Sequence, residues 1–113
     1  MRTTTRSFIL KPSPLHGIGV FAVHDILKGT RLRLFAGSDK VRYLKRYPKP
    51  PFDRYCVPWN GRVACPMDFA RMSIGWYLNH SDSPNAYYAN SSYYAARNIK
   101  AGEEVTVDYG TAS

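Results

Sequence analysis

The chain has 113 residues, of which 44% are hydrophobic and 14% aromatic, and it carries a formal net charge of +8. That length suits one small domain spanning residues 1–113 with a compact core, and the apolar fraction excludes a disordered chain. No stretch approaches the ~20 apolar residues of a membrane-spanning helix, and the apolar run after Met1–Arg6 is too short for a secretory signal. The expectation is a soluble intracellular protein, cytoplasmic or in a nucleoid or nucleus, with no membrane partner.

Strand signals dominate from the start. Ser7 to Leu10 is a short apolar run, predicted to stop at Pro12 and Pro14. Gly19 to Val23 and Arg31 to Phe35 read as two further strands. Residues 40–54 differ in character. Lys40, Arg42, Lys45, Arg46, Lys49 and Arg54 stand among Pro48, Pro50 and Pro51, which predicts an exposed basic insertion between strands. Tyr43, Tyr47 and Phe52 are interleaved with these cations, so the segment reads either as a solvated loop or as a nucleic-acid contact.

A hairpin follows. Tyr55 to Trp59 and Arg62 to Ala64 flank Asn60-Gly61, and an Asn-Gly pair supplies the positive φ that both central residues of a type I′ turn require. Met67 to Leu78 is predicted to hold a helical turn or two, with Asp68 as a cap. Eight prolines and eight glycines argue against long helices. A second hairpin is predicted to pair Ala86–Ala89 with Tyr93–Ala96 across Asn90-Ser91-Ser92, and Glu104 to Tyr109 reads as the last strand. The expected class is mostly β, built of short antiparallel sheets with little helix.

One internal repeat stands out. Ala22 to Leu32 matches Ala95 to Val105, each reading as strand, isoleucine, glycine turn, strand. Duplication and convergence on a good turn both account for it. The two cysteines, Cys56 and Cys65, lack CxxC spacing, and no HExxH pattern is present, so no metal site is expected. A cross-hairpin disulfide is geometrically open to them, and free thiols suit a reducing cytosol.

Three stretches carry chemistry. In Gly17-Ile18-Gly19, two glycines let backbone approach a ligand closely, although the third glycine and helix of a dinucleotide fingerprint are missing. In Tyr77-Leu78-Asn79-His80-Ser81-Asp82-Ser83-Pro84-Asn85, apolar residues lead into a polar cluster able to read a heteroaromatic edge. In Gly102-Glu103-Glu104-Val105-Thr106-Val107-Asp108-Tyr109-Gly110, a turn leads into a strand that ends on a tyrosine. Together and in this order the three resemble the SET-domain family, over about residues 8 to 110.

The resemblance implies a β-clip-like fold of short sheets with a C-terminal pseudoknot. It implies a methyltransferase that uses S-adenosylmethionine and acts on a lysine side chain of a protein substrate. Gly17, Ile18, Gly19, Asn79, His80 and Tyr109 would bind the cofactor, Tyr109 would be the catalytic tyrosine, and Tyr55 resembles a second tyrosine of the substrate channel. Asn85 and Asp108 are expected to brace the pseudoknot. The alternatives are a catalytically weak SET-fold binding module and a small basic nucleic-acid-binding β-domain.

The sequence departs from the family pattern at three places. Asp82 stands where a zinc-binding Cys is common, and Trp76 where an Arg is usual. Relatives close the lysine channel with later aromatic residues, whereas Gly110–Ser113 follow Tyr109 here. An open site, a weakly active one, or a homodimer lending a lid is therefore expected. A net charge of +8 repels a basic peptide. Glu103, Glu104 and Asp108 are expected to act as a local attractor, and a substrate associated with chromatin or other nucleic acid would remove the conflict.

Overall fold

Short runs of alternating apolar residues, cut by glycine, proline and asparagine, cannot form long strands. In the computed structural model, which describes residues 7–35 and 40–109, they build ten strands in three small sheets. β1 (Phe8–Pro12) pairs antiparallel with β2 (Ile18–Ala22), from Phe8 opposite Ala22 to Pro12 opposite Ile18. The strand therefore runs through Pro12 instead of stopping before it. β1 lies at the sheet edge, where a missing N–H is tolerated.

A second sheet joins β3 (Arg31–Leu32), β9 (Ser92–Ala95) and β8 (Ala86–Ala89) in that order. A third joins β4 (Val41–Leu44), β6 (Arg62–Pro66) and β5 (Val57–Trp59). The first sheet is completed by β10 (Glu104–Val107), which lies between β2 and β7 (Asn79–His80). β10 is antiparallel to β2 and parallel to β7, with Thr106 opposite Asn79 and Val107 opposite His80. That parallel pair brings the second and third motifs side by side.

Both hairpin turns follow from backbone sterics. Asn60 and Gly61 have φ of 48° and 76°, as an Asn-Gly turn requires. In the second hairpin Ala89 pairs directly with Ser92, so the turn is the two residues Asn90 and Ser91, at φ 50° and 63°. It is one residue tighter than expected, and β9 starts correspondingly earlier. β3 ends at Leu32 and β10 at Val107, both short of the expected limits. Residues 40–54 are more than an insertion: they contain β4, the edge strand of the third sheet.

Between Ser7 and Asp108, helix among the described residues is confined to three 3-10 segments, Phe52–Tyr55, Phe69–Arg71 and Ile74–Tyr77. The carboxylate of Asp68 accepts the Ala70 N–H at 2.9 Å, the cap expected of it. No helix among the described residues is long and apolar enough to cross a membrane. The main core centres on Val20, Leu78, Ile99 and Val105, and a smaller one on Cys56, Val63 and Cys65. Both cysteines are free and buried. Burial, and then a hydrogen bond with Cys65, push the Cys56 thiol far above its ordinary range.

The internal repeat is realised as a reciprocal contact. Ile26 and Ile99 exchange both backbone hydrogen bonds, at 2.7 and 2.8 Å. The Gly29 N–H reaches the Ala95 carbonyl, and the Gly102 N–H reaches the Ala22 carbonyl. The Asp25 carboxylate accepts the Ala101 N–H, while the Asn98 amide oxygen accepts the Lys28 N–H. Each contact made by one copy is returned by the equivalent residue of the other. Gly29 and Gly102 sit at φ 87° and 88°, a conformation that favours glycine.

Asn85 fastens the two C-terminal motifs together. It is 1% exposed. Its amide oxygen accepts the Thr106 N–H at 2.8 Å, its Nδ2 donates to the Glu104 carbonyl at 2.7 Å, and its N–H meets Thr106 Oγ1 at 3.3 Å. The side chain thus supplies backbone partners that β10 lacks at that point. Truncation would leave buried donors and acceptors unpaired, at about 1–3 kcal/mol each. Asn85→Ala is expected to lower the unfolding free energy by about 3 kcal/mol in urea melts. A loss below about 1 kcal/mol would show that the amide is not the fastener.

Candidate active site

The hairpin between β1 and β2 brings the first motif against β10 and β7. Gly17 takes a positive φ of 46°, and its carbonyl accepts the Ser13 N–H at 2.8 Å, which closes the loop. Gly19 follows in β2, and a Cβ on it would overlap the carboxylate of Glu104. That carboxylate accepts the Ser13 hydroxyl at 2.8 and 2.9 Å and Asn79 Nδ2 at 2.8 Å. Asn79 Nδ2 also reaches the carbonyls of His16 at 3.0 Å and Ile18 at 3.3 Å. One carboxylate and one amide therefore tie the three motifs together.

His80 links β7 to the end of β10. Its Nδ1 accepts the Tyr109 N–H at 3.1 Å, so its proton lies on Nε2, which faces Asp82 Oδ1 at 3.0 Å. Asp108 lies 3.7 Å from Nδ1. The Tyr109 ring packs 5.4 Å from the imidazole, and its hydroxyl donates to the Leu78 carbonyl. Burial raises the pKa of Tyr109, and the nearby Tyr47 and Glu104 add to the effect, so its phenol holds its proton at neutral pH.

Two depressions meet at this point. The larger, about 270 Å³, is lined by Leu32, Phe35, Tyr43, Trp59, Trp76, Tyr88, Tyr93 and Tyr109, among others. Its rings form a continuous series. Trp76 packs edge-on against Phe35 at 5.5 Å, Phe35 stacks on Tyr93 at 5.8 Å, and Tyr88 touches both Tyr93 and Trp59 at 5.1 Å. The smaller, about 60 Å³, is lined by His16, Gly17, Ile18, Arg54, Tyr55, Tyr77 and Asn79. Trp76 and Leu78 line both. The Leu78 carbonyl that accepts the Tyr109 hydroxyl thus belongs to the partition between them.

The residues singled out from the sequence are distributed around the two depressions. Gly17, Ile18 and Asn79 line the smaller depression; Gly19 lies against Glu104; His80 carries the Tyr109 backbone; Tyr109 lines the larger depression. Tyr55 is placed apart from Tyr109, in the smaller depression, with its ring 5.3 Å from Tyr77 and 6.5 Å from Phe69. Trp76, a departure from the family pattern, is the buried wall shared by both depressions.

Of the three acidic residues expected to act as an attractor, Asp108 lines the larger depression, whereas the two glutamates are engaged by internal partners. Glu104 is held by Ser13 and Asn79, and Glu103 accepts from Lys100 N–H, Asn85 and Arg97. The Lys100 backbone bond, reinforced by Asn85 and Arg97, holds the Glu103 carboxyl below its usual range despite its partial burial. Neighbours in sequence, the two carboxylates serve separate internal partners.

Sequence reasoning missed Phe35, Trp59, Tyr88, Tyr93 and the bracing role of Glu104. Tyr88 and Tyr93 had a usable signal, since a two-residue turn at Asn90-Ser91 sets them opposite each other. Phe35 and Trp59 come from remote segments, and no local pattern joins them to Tyr109.

The family model for the SET domain matches residues 17–110. The chain belongs to the SET-domain family, whose members are typically lysine methyltransferases that use S-adenosylmethionine. No curated protein matches it. A crystal structure of a Plasmodium falciparum "putative histone methyltransferase" is similar in fold, with a TM-score of 0.61 and 23% sequence identity, over 95% of this chain and 96% of that one.

Two outcomes follow from the geometry. Gly19→Ala forces a methyl group against a carboxylate that Ser13 and Asn79 hold in place, a strain of about 1–3 kcal/mol. In a Glu104→Ala background the carboxylate overlap is gone and the approach to Ser13 Cβ, at 3.1 Å, remains. A double-mutant cycle in urea is expected to show coupling of about 1 kcal/mol or more, and additive losses would show that Gly19 and Glu104 do not constrain each other. The second outcome concerns Tyr93, whose pKa burial pushes up to about 12, with Tyr88 and Tyr109 contributing. The unfolded chain ionises this phenol first, so its stabilising contribution is complete below about pH 10 and is lost as pH rises toward 12. Tyr93→Phe is expected to flatten the decline of unfolding free energy across that window. An unchanged decline would mean that the phenol is not buried in solution.

Proposed function

We propose that this protein transfers a methyl group from S-adenosylmethionine to a lysine side-chain amine of a protein. The observation that carries this reading is the pair of depressions that share Trp76 and Leu78, one aromatic and the other lined by backbone and polar groups. We read the close crossing of the second and third motifs, braced by Asn85, as the family's pseudoknot.

The donor set of the smaller depression fits the cofactor. Arg54 offers a guanidinium for a carboxylate, and the backbone of Gly17 and Ile18 offers donors and acceptors that no side chain obstructs. Tyr55, Tyr77 and Trp76 offer ring faces and edges to a cation or a heteroaromatic ring. A volume of about 60 Å³ takes part of such a molecule, not all of it. When bound, S-adenosylmethionine supplies an electrophilic methyl group on a sulfonium.

The remaining tasks fall to the chain. Free lysine has a pKa of about 10.4, so the amine must shed a proton before it can attack. The apolar and aromatic walls of the larger depression disfavour the ammonium form and promote that loss. Tyr109 is a poor general base, because its burial raises its pKa. With its own proton committed to the Leu78 carbonyl, its oxygen meets an amine N–H as an acceptor and orients the nitrogen lone pair. Orientation of this kind contributes about 7–11 kcal/mol at best.

Calorimetry with S-adenosylmethionine and S-adenosylhomocysteine tests the first half of the reading. Binding is expected for the wild type. Asn79→Ala is expected to weaken it, because the amide that fixes the Gly17-Ile18 loop is lost, at about 1–3 kcal/mol. Labelled cofactor incubated with cell lysate tests the second half, and absence of labelled protein alongside retained cofactor binding would favour a binding module without turnover. Tyr109→Phe keeps the wall and removes the hydroxyl. On a verified substrate it is expected to lower kcat and kcat/KM alike by about a hundredfold, equivalent to about 2.7 kcal/mol at 1.36 kcal/mol per decade. A folded variant with the wild-type rate would transfer the role to another tyrosine.

A further inference from the structure

Residues 40–54 carry six cationic side chains against one carboxylate, Asp53, and so five of the eight net positive charges of the whole chain. All six cations are exposed. Among the described residues, the Arg97–Glu103 ion pair and the contacts of His80 with Asp82 and Asp108 all lie outside this segment. Among the described residues, no ion pair balances this charge. It is displayed along β4 and the chain that follows it.

Charge alone has a bland explanation. β4 is the edge strand of its sheet, and edges are commonly protected by lysine and arginine. Edge protection does not call for exposed aromatic rings, which promote association. Yet Tyr43 and Tyr47 are each 51% exposed and Phe52 46%, all among the cations. Cations that track phosphates, interleaved with rings on which bases stack, are the two elements of a single-strand nucleic-acid surface.

The same segment borders both depressions. Val41 and Tyr43 line the larger one, and Arg54 lines the smaller. A lysine-rich tail approaching the larger depression would meet this like-charged face, unless a polyanion neutralises it. We infer that the face built by residues 40–54 binds single-stranded nucleic acid, and thereby directs the enzyme to lysines of proteins that are themselves bound to nucleic acid. The second clause rests on the proposed methyl transfer; the first stands without it.

The test is fluorescence anisotropy of a short, labelled, mixed-sequence single-stranded oligonucleotide, titrated with the full chain over a range of salt concentrations. Binding is expected, weakening with salt. The triple variant K45Q, R46Q, K49Q is expected to reduce the log–log salt slope by about 0.7 for each phosphate that the variant no longer neutralises. Tyr43→Ala and Tyr47→Ala are each expected to weaken binding about tenfold while leaving the slope in place, since stacking releases no counterions. Circular dichroism confirms that each variant is folded.

No anisotropy change at low salt overturns the inference. So does tyrosine-independent binding in which polyglutamate competes as well as the oligonucleotide, which would assign the face to an acidic polypeptide. Cofactor calorimetry on the same wild-type preparation separates the two readings. Cofactor binding without oligonucleotide binding removes the nucleic-acid face alone, and oligonucleotide binding without cofactor binding removes the methyltransferase reading, and the targeting clause with it, while the nucleic-acid face stands.

Discussion

Glu104 is held at both of its ends. Its carboxylate receives Ser13 from the β1–β2 turn and Asn79 from β7, while its backbone carbonyl receives the buried amide of Asn85. Two segments distant in sequence are thereby fixed to β10 through a single residue. The absence of a side chain on Gly19 makes room for that carboxylate. Through Ser13 and Asn79 that carboxylate holds the loop that carries Gly17 and Ile18. The positions of both depressions depend on this attachment, because the Gly17-Ile18 loop lines one and the end of β10 lines the other.

The partition at Leu78 has a chemical corollary. A backbone carbonyl there accepts the Tyr109 hydroxyl, so the orientation of the phenol is set by main chain and not by a mobile side chain. His80 reinforces this by accepting the Tyr109 N–H. Backbone and hydroxyl of one residue are thus fixed by two neighbouring segments. Preorganisation of this sort suits a reaction in which alignment, not covalent catalysis, lowers the barrier.

Much of this was legible in the sequence, for physical reasons. Asn60-Gly61 was readable because few residue pairs tolerate two successive positive φ values. The three motifs were readable because their polar residues sit close together in the chain. The strand in residues 40–54 was hidden because six cations and three prolines outweigh the alternation of Val41, Tyr43 and their neighbours. The aromatic wall was hidden for another reason. Phe35, Trp59, Tyr88 and Tyr93 come from separate segments, and only the assembled sheets make them neighbours. Glu103 and Glu104 looked like a charge cluster because adjacency in sequence is not adjacency of function. In the folded chain their partners differ completely, apart from the shared Asn85 amide, which meets the side chain of one and the backbone of the other.

The reciprocal contact between the two repeats bears on how the chain reaches this state. The bonds that complete the first turn come from residues 70 to 76 positions further along, and the reverse holds for the second. Neither turn can mature on local information. Closing so long a loop costs entropy before any of these bonds is gained. During synthesis the first copy must wait, with the backbone of Ile26 unpaired, until the second has left the ribosome. That interval is when the young chain is most open to pairing with a neighbour of its own kind.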